Sequence, residues 1–365
     1  MKKLSFIWVL SLLSFSVFSQ DDLATENVFL ITFDGLRWEE LYTGADPVLI
    51  EDEDYVDDVE TLKATFWADD PHTRREKLMP FFWSTLAREG QLYGNRDFEN
   101  KVDATNRQWF SYPGYNEILS GFADDERIHS NDKIPNPNVT VLEFINQQPR
   151  YAGKVAAFGS WDVFPFIINE ERSGVPVNAG FETATGAKLT DKEKFLNELQ
   201  PQVPSPWSTV RLDAFTHHYA LEHLKKHRPR LLYIAYGETD DFAHNGKYDA
   251  YLYSARRTDQ FIRELWEWAQ SQKQYKGKTT FIITTDHGRG TLDEWRHHGI
   301  DVEGAGAIWM AVIGPDTEAL GEVKTEGQHY QSQVAKTVAT LLGLEYTNDK
   351  EVGKVVASMI KGGQE

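Results

Sequence analysis

The chain has 365 residues, with 38 Lys+Arg against 56 Asp+Glu, a formal charge of −18, no Cys, and 13% aromatic residues. Its length suits one large domain or two small ones, and its apolar content excludes a wholly disordered chain. The lack of Cys excludes disulfides, thiolate zinc sites and iron–sulfur clusters. The acidic balance argues against binding a nucleic-acid backbone, which needs clustered Lys and Arg.

Met1–Ser19 reads as a separate object. Lys2 and Lys3 precede the apolar run LSFIWVLSLLSFSVF, and Val17 and Ser19 form a small-residue cleavage site before Gln20. That is the pattern of a secretory signal peptide, and the run is short for a ~20-residue span. Its removal would take two lysines and leave a charge of −20. No later segment is apolar enough to span a bilayer, so the expected location is periplasmic or secreted. The rest, 20–365, is expected to be a single domain.

Asn27–Asp34 (NVFLITFD) predicts a buried strand ending at Gly35. Residues 51–75 are acidic and weakly periodic and predict a surface excursion with room for one helical turn. Leu78–Arg88 and Thr140–Asn146 are helical in pattern, and Lys154–Phe158 predicts a strand. Residues 161–208 are rich in Pro, Gly and aromatics, which suits a cap or lid more than a sheet. Ser208–His227 predicts a helix, Leu231–Tyr236 (LLYIAY) a strand, and Asp249–Gln272 a long amphipathic helix. Thr279–Thr285 (TTFIITT) and Ile308–Ile313 (IWMAVI) predict strands, and Gln331–Leu342 a final helix. Continuous apolar strands alternating with helices predict an α/β fold with a mostly parallel central sheet and helices on both faces.

In such sheets ligands bind beyond the carboxyl ends of the strands. Strand 27–33 exits at Asp34-Gly35, strand 231–236 runs into Gly-Glu-Thr-Asp-Asp-Phe-Ala-His (237–244), and strand 279–285 exits at Asp286-His287-Gly288. His297-His298-Gly299 precedes strand 308–313. Carboxylate and imidazole are ligands for a divalent ion such as zinc, and Asp240 and His244 share a face after one helical turn. Two ions could clamp both oxygens of an in-line displacement. Taken singly, each of these residues also has an ordinary reading as a cap or a polar turn. Together, on successive strand exits, they point to a metal site.

The chain resembles the alkaline phosphatase superfamily, and within it the nucleotide pyrophosphatase/phosphodiesterase-like branch. The resemblance rests on Phe33-Asp34-Gly35-Leu36-Arg37, Ser111-Tyr112-Pro113, Glu238–His244, Thr285-Asp286-His287-Gly288 and His298-Gly299, in that order over residues 27 to about 345. It implies a two-metal phosphoester hydrolase, usually with zinc, acting on a small-molecule phosphate ester. One ion would be held by Asp34, Asp286, His287 and the Ser111 oxygen, the other by Asp240, His244 and His298. Ser111 stands at the family's nucleophile position, where this branch more often has Thr. Asn131 stands near its phosphate-binding Asn. His297 and His329 are alternatives to His298, which matches the family's last ligand in context.

The departures matter. Monoesterase relatives carry a Lys and an Arg after the strand that here ends near Phe158, but this chain has Gly159-Ser160-Trp161-Asp162 and no basic pair, although Arg172 could swing in. That tilts the expectation toward diesters, with Trp161, Phe164 and Phe166 as candidate stacking residues. Sulfatases need Arg where Tyr115 stands. A sulfatase-like or phosphonate hydrolase, or a non-catalytic metal-containing binding protein, are the competing readings. The oligomeric state is left open.

Overall fold

The computed structural model describes residues 23–363, so the leader read at Met1–Ser19 lies outside the described residues. An eight-stranded sheet forms the centre, in the order 321–322, 91–93, 310–313, 279–285, 27–33, 231–236, 155–159, 177–179. The five strands from 279–285 to 177–179 run parallel, and strand 310–313 runs against its neighbours. A three-stranded sheet of 327–330, 100–103 and 307–308 flanks it.

The central strand explains why the sheet is parallel. All of Asn27–Phe33 is buried, with Phe29, Ile31 and Phe33 in one apolar layer and Val28 and Leu30 in the other. A strand buried on both faces needs helices on both. Its register with its neighbours sets Phe33 opposite Tyr236 and Thr285. The next residues along all three chains, Asp34, Gly237 and Asp286, therefore emerge side by side.

The boundaries of strands 231–236 and 279–285 match the sequence reading. Several segments differ; the helix read from Ser208, for one, starts at Asp213. Residues 51–75 hold the helix Val59–Phe66 and most of Pro71–Leu78. Asp58 and Asp70 cap them, accepting from the Thr61 and Thr73 amides at 3.0 and 2.9 Å. Within 161–208, Val177–Ala179 is the edge strand of the central sheet. Its outward amides are taken by carboxylates, Val177 by Glu170 at 3.0 Å and Ala179 by Glu182 at 2.9 Å. Those two contacts blunt an edge that would otherwise offer free donors. Finally, the run read as one strand at 308–313 is divided at Trp309, with Ala307–Ile308 in the small sheet and Met310–Ile313 in the large one. Among the described residues, no helix is long and apolar enough to cross a membrane.

Candidate metal centre

The three central strand exits bring Asp34, Asp286 and His287 together. All three are buried, and their ligand atoms lie within 4.8 Å of one another. His287 Nε2 is 3.3 Å from Asp34 Oδ1 and 3.5 Å from Asp286 Oδ2. His287 Nδ1 lies 2.9 Å from the Gly288 carbonyl, to which it donates. That bond aims the Nε2 lone pair inward. Asp34 Oδ1, Asp286 Oδ2 and His287 Nε2 have no hydrogen-bond partner although each is buried. Unpartnered buried polar atoms are costly, and three converging on one point are what a cation site requires.

The remaining ligand atoms of the two facing carboxylates are anchored. Tyr115 donates its hydroxyl to Asp34 Oδ2 at 2.8 Å, and the Gly35 amide donates to Asp286 Oδ1 at 3.0 Å. Gly35 has φ +58°, and a Cβ there would sit 2.7 Å from Arg289 Nη1, 2.9 Å from Asp240 Oδ1 and 3.0 Å from His287 Cε1. Only glycine fits between these groups.

A second group overlaps the first. Asp240, His287 and His298 also have ligand atoms within 4.8 Å of one another. His244, one turn beyond Asp240, has Nε2 3.2 Å from Asp240 Oδ2 and 2.9 Å from His298 Nε2. His298 Nδ1 donates to the Trp109 carbonyl at 3.1 Å, which turns Nε2 toward Asp240. Among the three histidines considered for the last ligand, His298 is the one in the cluster. His297 is exposed, and His329 packs edge-on against Tyr93 at 4.9 Å.

The charges follow from this crowding. Burial raises the Asp34 and Asp286 carboxyls, with Asp240 adding to the first and Asp34 to the second. Burial works against a charged His287, but Asp286, Asp34 and Asp240 outweigh it and lift the imidazole to about 9. Burial and then His287 hold His298 well below its ordinary value. Burial would raise Asp240, yet Arg289 with His244 and His298 keeps it well below the carboxylate range.

Ser111 opens the helix Ser111–Ser120 and is buried. That helix sits directly on the first group, because a Cβ on Gly114 would come within 2.4 Å of the Asp286 carbonyl and Tyr115 holds Asp34. Asn131 is at the same place. Its Oδ1 accepts from the Tyr112 amide at 3.0 Å. The amide oxygen is thereby fixed and the Nδ2 donor turned away from that bond.

Sequence reasoning missed the scaffold behind these residues. Glu117 is fully buried and accepts from five donors: the Thr105 amide and hydroxyl, the Asn106 amide and side chain, and the Ser332 amide. Asn106 Oδ1 in turn accepts from the Trp109 amide at 2.9 Å, and Trp109 adopts φ +48°. Gln331 donates to the Asp286 carbonyl at 2.6 Å. The loop before Ser111 and the exit of strand 279–285 are thus tied to one carboxylate. Replacing Glu117 by Gln sets an amide N–H against these donors. We expect a loss of about 2–4 kcal/mol of stability, read by urea denaturation.

Two further expectations are corrected. Arg172 does not reach the site. Its guanidinium pairs with Glu143 and donates to the Asn136, Pro137 and Asn138 carbonyls. Phe164 is not a free stacking surface, because it is buried against Tyr115 at 4.8 Å and Tyr233 at 5.8 Å. A cation does reach the exit of strand 155–159 from another loop: Lys133 pairs with Asp162 at 2.7 Å, so the two charges cancel.

The sequence model of type I phosphodiesterases / nucleotide pyrophosphatases matches residues 143–359. A comparison with curated protein sequences gave no match. Among solved structures, wild-type alkaline phosphatase PafA superposes with TM-score 0.60 at 10% identity, covering 92% of this chain and 99% of PafA. The phosphonate monoester hydrolase SpPMH from Silicibacter pomeroyi gives 0.58 at 14%, covering 93% and 78%. The lipoteichoic acid synthase LtaP from Listeria monocytogenes gives 0.51 at 12%, covering 88% and 73%. At such identities these likenesses speak for the fold, which is that of the alkaline phosphatase superfamily. The family match spans more than half of the chain and speaks for the chemistry: this protein belongs to the type I phosphodiesterase / nucleotide pyrophosphatase family of phosphoester hydrolases.

Proposed function

We propose that the protein is an exported two-metal phosphodiesterase in which Ser111 is the covalent nucleophile. The observation that carries the metal part is the set of unpartnered buried atoms, Asp34 Oδ1, Asp286 Oδ2 and His287 Nε2. These residues would hold one divalent ion with the Ser111 oxygen, and Asp240, His244 and His298 the other. The Asp/His mix favours zinc. Ions bound there supply positive charge that lowers the pKa of an oxygen nucleophile and offsets charge developing on the phosphoryl group.

Within this reading the chain's own residues do the following. The Ser111 oxygen attacks phosphorus and loses its proton to solvent. The bond to the ester oxygen breaks, and the leaving group departs with the bonding pair. A water then attacks the phosphoseryl phosphorus, the P–O bond to Ser111 breaks, and the hydroxyl is regenerated. Asn131, its Oδ1 fixed by the Tyr112 amide, offers Nδ2 to a nonbridging oxygen. A donor held in place beforehand is worth more than one that must reorganise. Arg172 is locked on Glu143 and Lys133 is paired with Asp162, so neither is free to bind the extra charge of a terminal phosphate, which favours diesters. Tyr115, engaged with Asp34, stands against the sulfatase-type reading.

The test is hydrolysis of p-nitrophenyl phosphate, bis-p-nitrophenyl phosphate, thymidine-5′-phosphate p-nitrophenyl ester and p-nitrophenyl sulfate. We expect the two diesters to be turned over fastest, chelation to remove activity, and zinc to restore it. Activity that survives complete metal removal, or a preference for the sulfate, would overturn the proposal.

A further inference from the structure

The two candidate ion positions are not equivalent, and the residue that makes them differ is Arg289. It is almost fully buried, at 1% exposure. Its Nε donates to the Trp295 carbonyl at 2.8 Å and its Nη2 to the Arg296 carbonyl at 2.6 Å. Its Nη1 donates to Asp240 Oδ1. The guanidinium is also wedged against Gly35, where even a methyl group would come within 2.7 Å of Nη1. Two backbone carbonyls and a steric wall therefore fix a positive charge on one ligand carboxylate.

Charge then separates the two groups. Asp34, Asp286 and His287 offer two carboxylates and an imidazole, with one atom of each unpartnered. Asp240, His244 and His298 offer one carboxylate, already neutralised by Arg289, and two imidazoles whose Nε2 atoms lie 2.9 Å apart. A dication entering the first group meets two carboxylates with no fixed cation beside them, and three atoms free of hydrogen bonds. One entering the second must share Asp240 with a fixed cation. Between charges a few ångströms apart in a protein interior, such a difference is worth about ten- to a thousandfold in affinity.

We propose that Arg289 makes the Asp240 side of the centre the weaker, exchangeable metal site. Activity would then follow free metal over a concentration range in which the first position is already filled. The inference rests on the two-metal reading above and adds to it which ion is labile and why.

Equilibrium dialysis of metal-stripped protein against buffered zinc, with bound zinc counted by elemental analysis, tests it without any activity readout. For the unaltered protein we expect two steps of one zinc each, with midpoints separated by about a hundredfold. Arg289→Met should tighten the weaker step by about tenfold or more while moving the tighter one by less than about threefold, and Arg289→Lys should leave the weaker step weak. A thermal melt checks that each variant folds. If Arg289→Met does not, the spacing of the two steps in the unaltered protein still decides. Two ions bound in a single step, or a weaker step that Arg289→Met leaves unmoved, would overturn the inference alone. Absence of bound zinc would end the two-metal reading and this inference with it.

Discussion

Ser111→Ala is expected to lower turnover of bis-p-nitrophenyl phosphate by on the order of 10⁴ or more while the protein keeps its metal. The two halves of this result come from different parts of the geometry. Ser111 opens the helix whose Gly114 packs on the Asp286 carbonyl and whose Tyr115 holds Asp34. Removing one oxygen there should change stability by less than about 1 kcal/mol. The ligand atoms of Asp34, Asp286 and His287 keep their own anchors in Tyr115, Gly35 and Gly288. Zinc content by elemental analysis should therefore match the unaltered protein while the rate collapses. A variant that retains a tenth or more of the rate would mean that water attacks phosphorus directly and that the serine has another role.

The contrast between these ligands and their supports shows what a sequence can reveal. Asp34, Asp240 and Asp286 were legible because each ends or follows a continuous apolar run. A run buried on both faces must be an interior strand, and its next polar residue must lie at the sheet's carboxyl edge. Tyr115, Glu117 and Arg289 were not legible. Each looks ordinary in its own segment, and its partner lies elsewhere: Tyr115 holds Asp34, Glu117 holds Thr105 and Ser332, and Arg289 holds Asp240. The same limit explains the missed edge strand. Val177–Ala179 is three residues long, too short for any period to appear, and it is fixed by carboxylates from both flanks. The helices at 59–66 and 71–78 were missed for a different reason. Acidic residues hid a weak apolar face, although Asp70-Pro71 is a local start signal for a helix.

Metal-free protein should lose stability as the pH rises from about 6.5 to about 9, and zinc should reverse the loss. The sign follows from the folded-state values. His287 is lifted from its ordinary 6.5 to about 9 because its carboxylate neighbours outweigh its burial. A folded pKa above the unfolded one means that the folded chain binds the extra proton through this window. Its contribution is complete below pH 6.5 and gone above about 9. Burial raises Asp34 and Asp286 as well, so deprotonating them in the folded state is also unfavourable, and the slope has the same sign. A bound dication supplies the positive charge that those protons supplied and binds most strongly when they have left. The thermal midpoint gained on adding zinc should thus be several degrees larger at pH 8.5 than at pH 6, with protons released on binding at the lower pH. Differential scanning calorimetry at the two pH values, with and without zinc, measures both the gain and its pH dependence. Equal gains at both pH values would mean that the Asp34–Asp286–His287 group does not take the ion.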